Sequence, residues 1–287
     1  MPAFLDMQHL VSFALSVARL WAWLAVLVVI FVPLEHFFSQ RRQKFFRKSL
    51  GHDLGYYFVS GLVPGLLLAL PLSLAAYGAR ALVPHGMQAA IAAWPLWLRV
   101  AAGVVVGEIG FYWGHRLTHE IPFLWRFHSI HHSAEHVYFL TSSRAHPIDN
   151  VFTRLCGLVP AYILGVASPL TPSGSLVPTL IVVSTIVWGF FIHSNLRLRL
   201  GPLEWLIATP GFHHWHHTLS DHRDHNYASM LPCMDLMFGT FYLPPRQWPS
   251  AYGIEARLPP SIAGQMMYPL RAEAASSDLP EPVTADR

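Results

Sequence analysis

Eight histidines recur at helical spacing in three short stretches: His115 and His119 in HRLTH, His128, His131 and His132 in HSIHH, and His213, His216 and His217 in HHWHH. Residues three or four apart share one face of a helix, so each stretch can turn its imidazoles toward a common point. A catalytic zinc uses about three protein ligands and a structural zinc about four. Eight imidazoles exceed what one tetrahedral ion takes, and the count argues for two metals. Any fold this chain adopts must therefore bring three distant segments together.

The rest of the chain places that meeting point at a membrane. Of its 287 residues 53% are hydrophobic and only 12% charged, against about 25% charged in a typical soluble domain. The apolar stretch from about Val11 to Phe38 exceeds the roughly 20 residues a bilayer core needs, and Arg19, Glu35 and His36 argue against a signal peptide. Arg41, Arg42, Lys44, Arg47 and Lys48 follow it, which by the positive-inside rule makes this loop cytosolic and the N-terminus external. The net charge of +3 is small, and no basic stripe interleaves with aromatics, so nucleic acid is excluded as a partner. Cys156 and Cys233, the only cysteines, offer neither a disulfide framework nor a cysteine zinc ribbon.

Further apolar segments are expected at Leu54–Val83, interrupted by Pro64 and Pro71 and readable as one kinked span or a hairpin, at Ala89–Trp113, at about Val151–Val166, and at Leu176–Ile192. The polar, proline-rich turn Ser168–Ser175 joins the last two. If the second segment crosses once, this topology returns the ends of the third and fifth segments and the start of the fourth to the face carrying the basic loop. The three clusters and His193 are expected to meet there. Trp94, Trp97, Tyr112, Trp113, Trp205 and Trp215 fit interfacial belts. Residues 271–287, rich in Ala, Ser, Pro and acidic side chains, are expected to form a disordered tail, leaving residues 1–270 as one membrane-embedded catalytic domain. The fold class is all-α: a polytopic transmembrane helical bundle with a cytosolic, histidine-rich helical cap.

A zinc protease does not fit, because HRLTH lacks the glutamate that HExxH supplies as general base. Imidazole ligands suit zinc, copper, iron and nickel alike. A lipid chain offers mainly unactivated C–H bonds, whose oxidation calls for dioxygen and a metal that changes valence, which zinc does not. Two irons beneath an apolar pocket meet both needs, with zinc as a substitute in purified protein. A membrane metal transporter or sensor is the rival reading; transport would place ionisable residues along several spans, and few are present.

The order GHRLTHE, FHSIHH, HSN, LGPLEW, TPGFHHWHH, NYA and FGTFY over roughly Glu108–Leu243 resembles the fatty acid hydroxylase and sterol desaturase superfamily of integral-membrane, histidine-rich di-iron oxygenases. The resemblance implies that His115, His119, His128, His131, His132, His213, His216 and His217 are metal ligands and the catalytic centre, with His214 a neighbour and His193 a ninth ligand. It implies hydroxylation or desaturation of a sterol-like, fatty acyl or related lipid, with dioxygen and an external electron-donor protein as partners. A bacterial inner membrane with the site on the cytosolic face is the expected location. Glu120 is similar to a glutamate in the pterin-dependent branch that cleaves ether lipids, whereas Asn195 is not what that branch carries. Glu120, His146 and Asn195 are candidates for the layer supporting the ligands. Arg144 and Asp149 are expected to orient them, since ligating imidazoles usually donate their second N–H to an oxygen. His222 and His225, in a polar loop, are weaker candidates.

Overall fold

The computed structural model describes residues 7–47, 49–168, 175–220 and 222–271. Lys48, most of the Ser168–Ser175 turn and the tail beyond Arg271 lie outside the described residues. The described residues form no strand; their regular elements are ten α-helices and short 3-10 turns. The long ones are α1 (Met7–Phe37), α2 (Leu50–Leu82), α4 (Leu96–Glu120) and α7 (Leu176–His193), and each is long and apolar enough to cross a membrane. Between and after them lie α3 (His85–Ala92), α5 (Pro122–His132), α6 (Pro147–Ile163), α8 (Pro210–His216), α9 (Cys233–Phe238) and α10 (Ile262–Met267).

α2 is one continuous helix of 33 residues with Pro64 and Pro71 inside it, which removes the hairpin reading. At 1.5 Å per residue it measures roughly 50 Å, well beyond the about 30 Å hydrocarbon core. Its excess lies in the cap, where Asp53 takes an ion pair from Arg144 (3.2 Å) and the Tyr138 hydroxyl (2.8 Å). Further along, Leu66, Leu70 and Leu74 are exposed, as a lipid-facing surface requires. The expected third segment beginning at Ala89 is instead two helices, because Pro95 caps α4 after α3 has ended. α4 continues through the first histidine stretch. The fourth expected segment is α6, 17 residues long, short of the about 20 a span needs, and it packs against α2 and α4. Tyr112 and Trp215, expected in an interfacial belt, are buried, while Trp94, Trp97, Trp113 and Trp205 are exposed.

α4 and α6 approach with glycine against glycine. A methyl group on Gly110 would strike the Cys156 carbonyl, and one on Gly157 would meet the Gly107 carbonyl at 3.1 Å. Small residues of this kind let helix backbones close on each other where lipid gives no hydrophobic drive between helices. The crossing fixes the end of α4, which carries His115 and His119, against the start of α6, which carries Asp149. At the same end, Glu35 near the end of α1 accepts the Phe139 and Asn195 N–H groups (2.9 Å each), and Arg41 in the basic loop is tied to Asn195. The histidine segments and the basic loop thus share one end of the bundle.

Candidate metal centre

Three cap helices begin on proline at their first turn: α5 at Pro122, α6 at Pro147 and α8 at Pro210. Proline there lacks only an N–H that would be unbonded anyway, and its fixed φ suits a helix start. Thr209 adds a side-chain cap on the Phe212 N–H. These starts set the helical phase, and the phase decides where each histidine points.

The imidazoles gather into two groups. His115, His119, His128, His132 and His216 form one; His131, His193, His213 and His217 form the other; within each, the nitrogens lie within 4.8 Å of one another. The two HxxHH stretches are shared out in opposite ways. In α5 the i and i+4 residues, His128 and His132, join the first group while His131 crosses to the second. In α8 and its cap, His213 and His217 join the second group while His216 crosses to the first. On a helix i and i+4 are separated by about 40° and i+3 falls on the other side, so one short motif serves two positions. The groups abut, with the His132 and His217 rings stacked at 4.6 Å.

The outward nitrogens are held by fixed acceptors. Nδ1 of His115 donates to the Tyr227 carbonyl (2.7 Å), that of His216 to His225 (2.8 Å), that of His131 to Arg144 (2.9 Å) and that of His193 to Gly189 (2.7 Å). His119 meets the Asp224 carboxylate at 2.9 Å, and His128 meets both oxygens of Asp149 at 3.1 Å. A carbonyl can only accept, so four of these rings must carry their proton on Nδ1. Their Nε2 atoms are then bare lone pairs. Yet Nε2 of His115 and of His216 lie 3.0 Å apart, and those of His131 and His193 lie 3.2 Å apart. Neither neutral pair can share a hydrogen bond. Each group therefore contains two lone pairs facing each other, an arrangement that a cation between them would stabilise. Nε2 of His119 is likewise buried, and among the described residues nothing bonds to it.

The donor set fits metal. With metal–nitrogen bonds of about 2.1 Å, ligands at right angles stand about 3.0 Å apart and tetrahedral ones about 3.4 Å. The shortest contacts in both groups, 3.0 to 3.2 Å, match the first. Five imidazoles in one group also exceed a tetrahedral shell.

Burial, reinforced by repulsion from neighbouring imidazolium charge, pushes His131 down to about 4 and holds His132, His213, His216 and His217 well below the ordinary histidine range. These rings are neutral at pH 7 and ready to ligate. Because the folded values are lowered, the unfolded chain binds more protons as pH drops below about 6.5. The stability these histidines contribute is intact above that pH and declines toward about 4. The melting temperature of the metal-free protein should fall on acidification from about pH 7.5 to 5, whereas bound metal should be released only as the pH nears about 4, where the folded His131 takes its proton. A melting temperature flat across that acidification would contradict burial of neutral imidazoles.

Of the candidate supporting residues, Asp149 and the Arg144 carbonyl do hold imidazole nitrogens of the two groups. Three others do not. Glu120 turns outward to Arg116 (2.6 Å) with a side chain 40% exposed. His146 caps α6 through the Ile148 N–H and donates to the Met266 carbonyl (3.1 Å each), a helix-entry role. Asn195 pairs with the Arg41 peptide (3.1 and 2.7 Å), bracing the basic loop. His214 donates to the Ser194 carbonyl (3.0 Å) and accepts the Tyr252 hydroxyl (2.9 Å). His222 stacks on Tyr242, and His225 contributes its carbonyl to His216. The sequence does not point to Asp224 or to the Tyr227, His225 and Gly189 carbonyls as partners, and backbone acceptors have no signature in sequence. Asp149→Asn should cost about 10–100-fold in metal affinity, read by chelator competition, with an unchanged affinity excluding its role in orienting His128.

A cavity of about 200 Å³ lies between α4, α6 and α7 and touches both groups, through His115 and His128 on one side and His131, His193 and His213 on the other. Phe111, Leu158, Ile181, Val182, Ile186 and Ile192 give it an apolar wall.

The sequence profile described as "Fatty acid hydroxylase" matches residues 100–240. The chain is 35% identical to an ornithine lipid hydroxylase of Rhizobium tropici over 177 residues, 61% of this chain and 51% of that protein. It is 35% identical to an alkylglycerol monooxygenase of Xenopus tropicalis over 52% of this chain and 30% of that protein, and 32% identical to methylsterol monooxygenase 2-2 of Arabidopsis thaliana over 60% and 63%. The match thus spans about half of the first relative and under a third of the second. No solved structure matches the chain.

Proposed function

We propose, from the fatty acid hydroxylase domain that residues 100–240 form, that this protein is a membrane-bound, dioxygen-dependent oxidoreductase that hydroxylates or desaturates a lipid. The observation that carries the reading is the facing lone pairs of His115 with His216 and of His131 with His193, one pair in each group. They are the reason to place two irons, one per group. When bound, two irons supply the valence changes that dioxygen chemistry on an unactivated C–H bond requires.

The chain's own residues do the rest. Nine imidazoles, steered by Asp149, Asp224 and four backbone carbonyls, hold both metal positions on rigid helices. The apolar wall of the cavity excludes water and receives a hydrocarbon segment beside the Nε2 atoms. Electrons come from a separate donor protein. The relatives named as a lipid hydroxylase and monooxygenases support a lipid substrate and oxygen insertion. Glu120, which prompted the pterin-dependent alternative, faces Arg116 instead of the histidines, and the proposed function does not use it. In this reading residues 1–270 act as one catalytic unit in a bacterial inner membrane, and the basic loop at the histidine end supports a cytosolic position for the site.

The test is comparative lipidomics of cells with and without the gene, alongside cells carrying His131→Ala. A lipid gaining one oxygen or losing two hydrogens only with the intact protein is expected. The same mass shift in His131→Ala cells would overturn the assignment.

A further inference from the structure

A second cavity of about 260 Å³ opens between α1, α2, α6 and α7, lined by Leu20, Trp23, Leu27, Tyr57 and Phe190 among others. It meets the histidine cavity at a waist where Ser142, Asn150, Arg154 and Ile186 line both. Asn150 and Arg154 lie one turn apart on the same face of α6, and both are half-buried. Among the described residues, nothing forms an ion pair, ring contact or hydrogen bond with the Arg154 guanidinium. The other cavity-lining charges are satisfied: Glu108 accepts Ser229 Oγ and the Met230 and Leu231 N–H groups, and Asp149 holds His128. An unpaired guanidinium inside an apolar bundle is costly, and such residues as a rule mark a ligand path.

We propose that Arg154, with Asn150 and Ser142, binds the anionic group of the lipid, a carboxylate or phosphate. A planar guanidinium fork matches either oxyanion bidentately. One chain of the lipid runs from the anionic group into the histidine cavity, so that its first carbons lie beside the imidazoles, and a second chain of the lipid fills the cavity beside Trp23. Together the two spaces reach the range of about 300–1,000 Å³ usual for ligand sites. The reaction described above, on which this assignment of substrate rests, then falls on a carbon near the charged group and not at the far chain terminus.

The test is equilibrium binding by the metal-free full chain in a neutral detergent at about pH 8, where histidines are uncharged. The probes are dibromostearate and its methyl ester, read by bromine quenching of tryptophan emission. The acid should bind about ten-fold or more tighter than the ester, as expected for charged hydrogen bonds. Arg154→Gln should erase that preference and Arg154→Lys should keep most of it. Equal binding of acid and ester by the unaltered protein, or equal weakening of both by Arg154→Gln, would overturn the proposal. Millimolar inorganic phosphate should not displace the acid; displacement would assign the site to a free anion. The preference is read without metal, so its absence in a protein that binds two irons defeats the headgroup site alone. Its presence in a protein that binds none defeats the oxidation reading alone.

Discussion

Alanine at both His213 and His217 is expected to remove one metal and spare the other. The pair supplies two of the four nitrogens in the second group, leaving fewer than the about three ligands a catalytic site keeps. His216 lies between them in sequence, yet it belongs to the first group and would stay ligated with His115, His119, His128 and His132. Metal content should drop from two per chain to one, and product formation should fall by more than the about 100-fold that loss of an outer partner can cost. Metal analysis of the purified variant, with a melting curve to establish folding, gives the result. Loss of both metals, or of neither, would show that the imidazoles are not divided in this way.

The second large effect is expected far from the histidines, at Gly110. A side chain there would collide with the Cys156 backbone carbonyl, and no rotamer change can move a carbonyl within a helix. Overpacking in a well-packed core typically costs about 1–3 kcal/mol; a clash with the backbone of the facing helix, at Cys156 and Gly157, should exceed it. Gly110→Val should therefore force α4 from α6 and part His128 from Asp149. The expected outcome is loss of folded protein from the membrane fraction, or folded protein that binds no metal in the first group. Gly51, with nothing near its Cβ direction, is the control: Gly51→Ala should leave yield and metal content unchanged. Wild-type yield and metal binding by Gly110→Val would show that the crossing is looser than described.

Much of this centre could be read in the sequence because helical spacing is local. The HxxxH and HxxHH intervals put imidazoles on shared faces whatever the tertiary structure, and the apolar runs returned them to one end of a bundle. Their division between two positions could not be read, since it depends on how α5 and α8 face each other. His131 and His216 show this: each sits beside a histidine that joins the other group. Fixed acceptors were half visible. Asp149 could be anticipated because a carboxylate is a recognisable partner, but the Tyr227, His225 and Gly189 carbonyls are contributed by position alone. Glu120, His146 and Asn195 were natural candidates by proximity in sequence, yet Arg116, the α6 N-terminus and Arg41 respectively engage them. The break at Pro95 was hidden because α3 is apolar enough to extend the run of α4. Arg154 lies in an apolar helix, and its lack of a partner emerges only where two cavities meet.

The central claim is that nine imidazoles enclose two redox-active ions. X-ray absorption at the iron edge, combined with metal quantification on protein purified from iron-supplied cells, tests it most directly. The account predicts two irons per chain, each with a nitrogen-rich shell at about 2.1 Å and no sulfur. One ion or none per chain, or a shell containing sulfur, would contradict it.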